Sequence, residues 1–172
     1  VHSSAQSSQH ECTLTGSHFC FNTKTGFGIL DPAKFIALSR IWTSIGKQAN
    51  IKTTILQNQR YLQPFSISHV AFWCNHSSTI QLRGIEHVML EANITYTSLG
   101  KLSIHAKSPS GTKIVLVKNR PHDNSSGQLA WNFTTVAFWG EYPYGQWILE
   151  FINSGPELTE LHSLELMIFG YQ

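Results

Sequence analysis

Beyond residue 50 apolar and polar positions alternate along much of this chain. The alternation is cleanest over 88–96, where Val88, Leu90, Ala92, Ile94 and Tyr96 fall on one face and Met89, Glu91, Asn93 and Thr95 on the other. A period of two predicts a strand with one face in a core, and it turns Asn93 toward solvent. Seven more runs rich in β-branched and aromatic residues, 51–56, 67–73, 102–106, 114–117, 133–138, 147–152 and 164–169, are separated by turn signals. Ser98-Leu-Gly100 and Ser108-Pro-Ser-Gly111 are such signals, since proline fixes φ and glycine accepts positive φ. Eight short strands punctuated in this way predict an all-β domain, a jelly-roll-like β-sandwich. Its densest stretch is 131–147, which holds three tryptophans. There the segment Glu141-Tyr-Pro-Tyr-Gly145 breaks two strand-like runs, which read as two strands joined by a tight connection at the centre of the sandwich.

Before residue 50 the pattern differs. Residues 1–25 are rich in Ser, Thr, Gln and His without periodicity, which predicts a loop or disordered lead. Asp31 can cap a helix with Pro32 at its first position, so a short helix is expected over 31–42. Its residues Phe35, Ile36, Leu38 and Trp42, with Ala37 and Ile41, leave only Lys34, Ser39 and Arg40 plainly polar. That is more apolar surface than one amphipathic stripe needs, and it calls for a partner to bury it.

Length and charge narrow the possibilities. A chain of 172 residues suits one ordinary domain, or one domain with a remnant of another. Charged residues make up 13% and the formal net charge is +2, with Lys and Arg scattered, so neither nucleic acid nor a membrane surface is expected as a partner. No apolar run approaches the ~20 residues needed to span a bilayer. Four N-x-S/T sequons, at Asn75, Asn93, Asn124 and Asn132, favour the secretory pathway and are candidate glycosylation sites. With Val at position 1 and no signal segment, the chain reads as a fragment or a processed piece.

Four groupings offer chemistry. His10, Cys12, His18 and Cys20 supply four potential zinc ligands, but in a secretory chain a small disulfide loop or two free thiols is favoured over zinc at this spacing. His122, Asp123 and Ser125 have the residue types of a hydrolytic triad, yet adjacent loop positions do not bring three side chains into one hydrogen-bonded line. An Asp- and Asn-stabilised turn is the better reading. The Cys74-Asn75-His76 grouping meets the same objection. Trp73, Trp131, Trp139 and Trp147 could form a sugar-stacking platform, although core and turn packing is preferred.

The stretch Ala130-Trp-Asn-Phe-Thr-Thr-Val-Ala-Phe-Trp-Gly-Glu-Tyr-Pro-Tyr-Gly-Gln-Trp-Ile-Leu149 resembles the P domain, or homo B domain, of furin/kexin-type subtilisin-like proprotein convertases. The motif positions are Trp131, Phe133, Trp139, Gly140, Glu141, Pro143, Gly145 and Trp147. In order along the chain, Glu86-His87-Val88, the turn with Pro109 and Gly111, and Arg120, His122 and Asp123 fit as well, so the resemblance covers roughly residues 26 to 170. It implies that 1–49 is the C-terminal remnant of a subtilisin-like α/β catalytic domain, with 50–172 the P domain. Phe35, Ile36, Leu38 and Trp42 would then lie at the interface with that catalytic domain. The implied parent is a calcium-dependent serine endopeptidase that processes secretory protein precursors at paired basic residues. Calcium would belong to the missing catalytic domain, and no cofactor is expected in this chain. The family's histidine and serine contexts, H-G-T and G-T-S, do not occur here, so no catalytic triad is expected. Where many members have R-R-G-D-L, this chain has Ser98-Leu-Gly-Lys-Leu102, which keeps the glycine alone of that R-G-D. The family pairs a cysteine at the position of Cys74 with one whose counterpart here is Ile51; Cys74 is therefore free and buried, or joined to Cys12 or Cys20. The rival reading is a secreted jelly-roll carbohydrate-binding module.

Overall fold

The computed structural model describes residues 5–6, 12–56, 58–76 and 79–172. In chain order its first elements are β1 (Ala5–Gln6), β2 (Thr13–Leu14), β3 (Cys20–Phe21), β4 (Ile29–Leu30), helix α1 (Pro32–Ser39), β5 (Gln48–Leu56), β6 (Arg60–Leu62) and β7 (Ser66–Cys74). There follow β8 (Gly84–Tyr96), β9 (Leu102–Lys107), β10 (Lys113–Val117), β11 (Gly127–Thr135), β12 (Gly145–Asn153) and β13 (Thr159–Tyr171). Two antiparallel sheets face each other, one in the order β10-β9-β12-β7 and the other β11-β8-β13-β5, with β6 beside β13.

Alternation decides which side chains meet between the sheets. Val88, Leu90, Ala92, Ile94 and Tyr96 of β8 are buried, as the period of two requires, and they face Ile104, Leu149, Phe151 and Trp147 from the opposite sheet in one core. Phe138 meets Trp147 edge-on, with ring centres 5.1 Å apart, a favoured aromatic geometry. Strand β13 pairs with β8 and β5 together, which makes it the spine of the five-stranded sheet.

All eight expected strands are present. The run expected over 133–138 lies earlier, at Gly127–Thr135, because the chain turns after Thr135: the Ala137 amide donates to Thr135 Oγ1, and Ala137 and Phe138 enter the core. The tight connection is also corrected, since β11 and β12 belong to different sheets and the 136–144 segment crosses from one to the other. In the lead, β2 and β3 pair as a small hairpin closed by a Cys12–Cys20 disulfide. The helix forms over Pro32–Ser39, with Asp31 Oδ1 accepting from the Ala33 and Lys34 amides at 3.1 Å. Strand β6, of three residues, is too short to show a period.

Candidate functional site

The motif stretch turns on one buried carboxylate. Glu141 is 2% exposed, and its two oxygens are taken up by three residues from two parts of the chain. Oε2 accepts from Ser108 Oγ at 2.5 Å, and Oε1 accepts from Thr112 Oγ1 and, at 3.0 Å, from the Gly16 amide. The Gly16 amide also donates to Thr112 Oγ1 at 2.7 Å. Beside it Ser17 Oγ donates to the Trp139 carbonyl at 2.6 Å, and the Ile85 amide donates to the Glu141 carbonyl at 3.0 Å. A carboxylate this deep is tolerable only with charge-assisted donors on both oxygens, and the β9–β10 turn and the N-terminal hairpin supply them. Gly16 is required by the close approach, since a Cβ there would lie 2.3 Å from Ser110 Cβ.

Other motif residues brace the same region. Gly140 takes φ +76 and Gly145 φ +129, the latter with its α-carbon pressed toward Pro109. The buried Pro143 carbonyl accepts from Trp147 Nε1 at 2.9 Å. Gly111 closes the β9–β10 turn at φ +93. Directly after Ile85, Glu86 accepts from Gln48 Nε2, His87 stacks on Phe169, and Val88 is core. Phe133 packs against the core from the edge strand.

Arg120 and Asp123 pair at 2.7 Å around Gly100, where a Cβ would meet the Arg120 and Asp123 carbonyls at 2.0 and 2.4 Å. That contact explains why the glycine of Ser98-Leu-Gly-Lys-Leu102 stays while its neighbours differ. Asp123 Oδ1 accepts from the Ser125 amide and hydroxyl, which lowers its pKa and spends the carboxylate on a turn, and His122 is exposed outside this bond network. No Ser–His–Asp line forms there. Cys74 is free and 1% exposed, its thiol pKa pushed up by burial, while His76 stacks on Tyr144 at 3.9 Å instead of meeting a nucleophile. Cys12 and Cys20 are spent in the disulfide and His10 lies outside the described residues; among those described, no group of three or more His, Cys, Asp and Glu is placed to hold a metal.

The tryptophans split. Trp147 is buried and Trp139 half-buried, but Trp131 is 59% exposed on the edge strand β11 and Trp73 is 63% exposed on β7 in the other sheet. Packing therefore fails as the account of Trp131, and the four do not share a platform. Of the sequons, Asn75, Asn124 and Asn132 are exposed and Asn93 is half-buried on the solvent side of β8, accepting from Gln128 Nε2 at 2.9 Å.

The N-terminal side presents the opposite surface. No residue of α1 is buried, and Phe35, Ile36, Ile41 and Trp42 are exposed together with Ile29, Leu30 and Ile45; Leu38 alone of the helix is half-covered. Sequence reading missed Gly16 and Ser17, which no periodic pattern marks. Ser108 and Thr112 were in view as turn residues only, although two hydroxyls flanking a Pro-Ser-Gly turn can both point at one acceptor.

A β-sandwich whose crossing turn carries the Trp-Gly-Glu motif locked to the β9–β10 turn defines a class, and the comparisons agree with it. Residues 85–168 match the model of the "Proprotein convertase P-domain". The chain belongs to that family. It is 30% identical over 169 residues to neuroendocrine convertase 2 of Rattus norvegicus, covering 95% of this chain and 26% of that protein. With furin of Rattus norvegicus the identity is 33% over 153 residues, 84% of this chain and 19% of that protein. This chain thus spans about a quarter or less of these relatives. Among solved structures a serine protease of Aeromonas sobria shares the fold, with a TM-score of 0.76 at 15% identity over 99% of this chain and 39% of that one. No helix among the described residues is long and apolar enough to cross a membrane.

Proposed function

We propose that this chain is the non-catalytic brace of a subtilisin-like serine endopeptidase, its P domain holding a catalytic domain that processes secretory precursors at paired basic residues. The observation that carries the proposal is the uncovered helix Pro32–Ser39, an apolar element with no buried residue attached to a sandwich that has a full core of its own. An isolated helix of this length is marginal in water, so its exposed Phe35 and Ile36, with the exposed Trp42 just beyond it, are accounted for by a packed partner. In this reading residues 1–49 are the last segment of the catalytic domain, and calcium, the Asp/His/Ser triad and the precursor substrates belong to that domain. The disulfide and the sequons suit the oxidising secretory pathway.

The test is reconstitution of the chain with a convertase catalytic domain, followed by the thermal midpoint and calcium-dependent cleavage of a dibasic peptide. Wild type is expected to raise both, whereas Ile36→Asp and Trp42→Asp raise neither while keeping the sandwich's own circular dichroism. Equal support from wild type and variants overturns the proposal.

A further inference from the structure

Each sheet ends in strands whose backbone groups face outward on one side, and such edges invite pairing unless they are guarded. Three of the four are guarded: β5 carries Lys52, β10 carries Lys113, and β11 carries the sequon of Asn132. Strand β7, Ser-Ile-Ser-His-Val-Ala-Phe-Trp-Cys over Ser66–Cys74, has neither lysine nor proline nor sequon within it. It is nine residues long and pairs only with β12. Its outward side chains are Ile67, His69, Ala71 and Trp73, and Ile67 and Trp73 are 59% and 63% exposed.

From this we infer that β7 is a self-association edge whose occupant is a second copy of this chain, joined antiparallel about a two-fold axis at Val70. The strand is complementary to itself in that register. Ile67 falls opposite Trp73 of the other copy, twice over, so the four exposed apolar side chains cover one another on the outer face. Ser68 falls opposite Phe72, and His69 opposite Ala71. The two imidazoles do not confront each other, and each stays on its own Glu150, 3.1 Å away. No like-charged pair arises anywhere in the row. Asn75 follows the strand's last residue, which leaves its glycan at the rim. The union makes one continuous eight-stranded sheet from two of four. One pair of nine-residue strands lies in the size range of transient interfaces, so the dimer depends on concentration.

The experiment is sedimentation velocity of the whole chain over a concentration series, with hydrogen exchange of the 66–74 amides at its two ends. Wild type is expected to move from single to double mass and to slow exchange along 66–74. Ile67→Lys and Trp73→Lys should remain at single mass with unchanged circular dichroism, and Val115→Lys, at an exposed apolar position on the opposite edge, should dimerise as wild type does. A wild-type mass that stays single overturns the inference, including the case in which 66–74 becomes protected only when a subtilisin-like domain is added. Dimerisation that survives Trp73→Lys overturns it too.

Discussion

Ser108 Oγ donates to Glu141 Oε2 at 2.5 Å with both residues 2% exposed, which joins a turn between two strands of one sheet to the segment that crosses from the other. The bond belongs to a set that also takes in Thr112 and the Gly16 amide, so this carboxylate ties together residues 125 positions apart.

Replacing Glu141 with Ala should therefore destabilise the chain by about 2–4 kcal/mol, because it leaves the buried Ser108 and Thr112 hydroxyls without their shared acceptor. Glu141→Gln keeps one acceptor oxygen and should cost less. Urea denaturation followed by tryptophan fluorescence measures both; an Ala variant within about 0.5 kcal/mol of wild type would show that water replaces the carboxylate without penalty.

Acid should weaken the fold through Glu150. Lys113 at 2.7 Å, then His69 and His105 across neighbouring strands, hold its carboxyl down at about 2, against burial that pushes upward. A carboxyl lowered in the folded state adds stability that is whole above its ordinary value of 4.5 and disappears as the pH falls from there toward about 2. Lys113→Met should lift the folded value and flatten that loss relative to wild type. Asp123 and Glu165 titrate in the same direction in both proteins, so the difference between the two urea-midpoint curves isolates Glu150. Identical curves would mean that the lysine contributes nothing in solution.

Limited proteolysis should cut first between β4 and β5, over 31–47, and leave the hairpin of β2 and β3 attached to the sandwich. The helix has no buried residue, whereas Gly16 and Ser17 are bonded to Glu141 and Trp139 and the hairpin is closed by its disulfide. Residues 51–172 should remain as a β-rich core. Early release of 12–21 under non-reducing conditions would show that the docking bonds open readily.

Secretion from a eukaryotic cell should attach glycan to Asn93, whose side chain lies on the solvent face of β8 in the register found. Asn132 projects from the same face of the neighbouring strand, opposite Glu91, and is expected to be modified as well. Peptide mapping after enzymatic deglycosylation reads both sites, and Asn93 found wholly unmodified would mean that its half-burial and its bond to Gln128 block the transfer.

The strands were legible because each carries a two-residue period against one core, and β8 kept its predicted faces throughout. Run 133–138 misled for a physical reason: Ala137 and Phe138 are as apolar as strand residues, but they are buried by a turn that carries them into the core. The helix start at Asp31 and Pro32 was legible from capping chemistry alone. The Glu141 clamp was not, since its donors come from residues 16, 108 and 112, and contacts between distant polar residues leave no periodic trace. Trp131 read as core or turn packing because it falls on a motif position, yet an edge strand covers only one flank of such a residue.

The helix sits in a span fastened at both ends. Upstream the hairpin is pinned to Glu141, and downstream β5 is zipped along β13, with the Gln172 amide donating to the Lys47 carbonyl at 3.1 Å. Phe35, Ile36 and Trp42 therefore ride on a closed handle whose ends cannot drift, and much of the chain entropy that a free tail would surrender on docking has already been given up in folding. In the brace proposed above, the sandwich thus acts at a distance from the surface it shares with its partner, by fixing where a short apolar segment can be found.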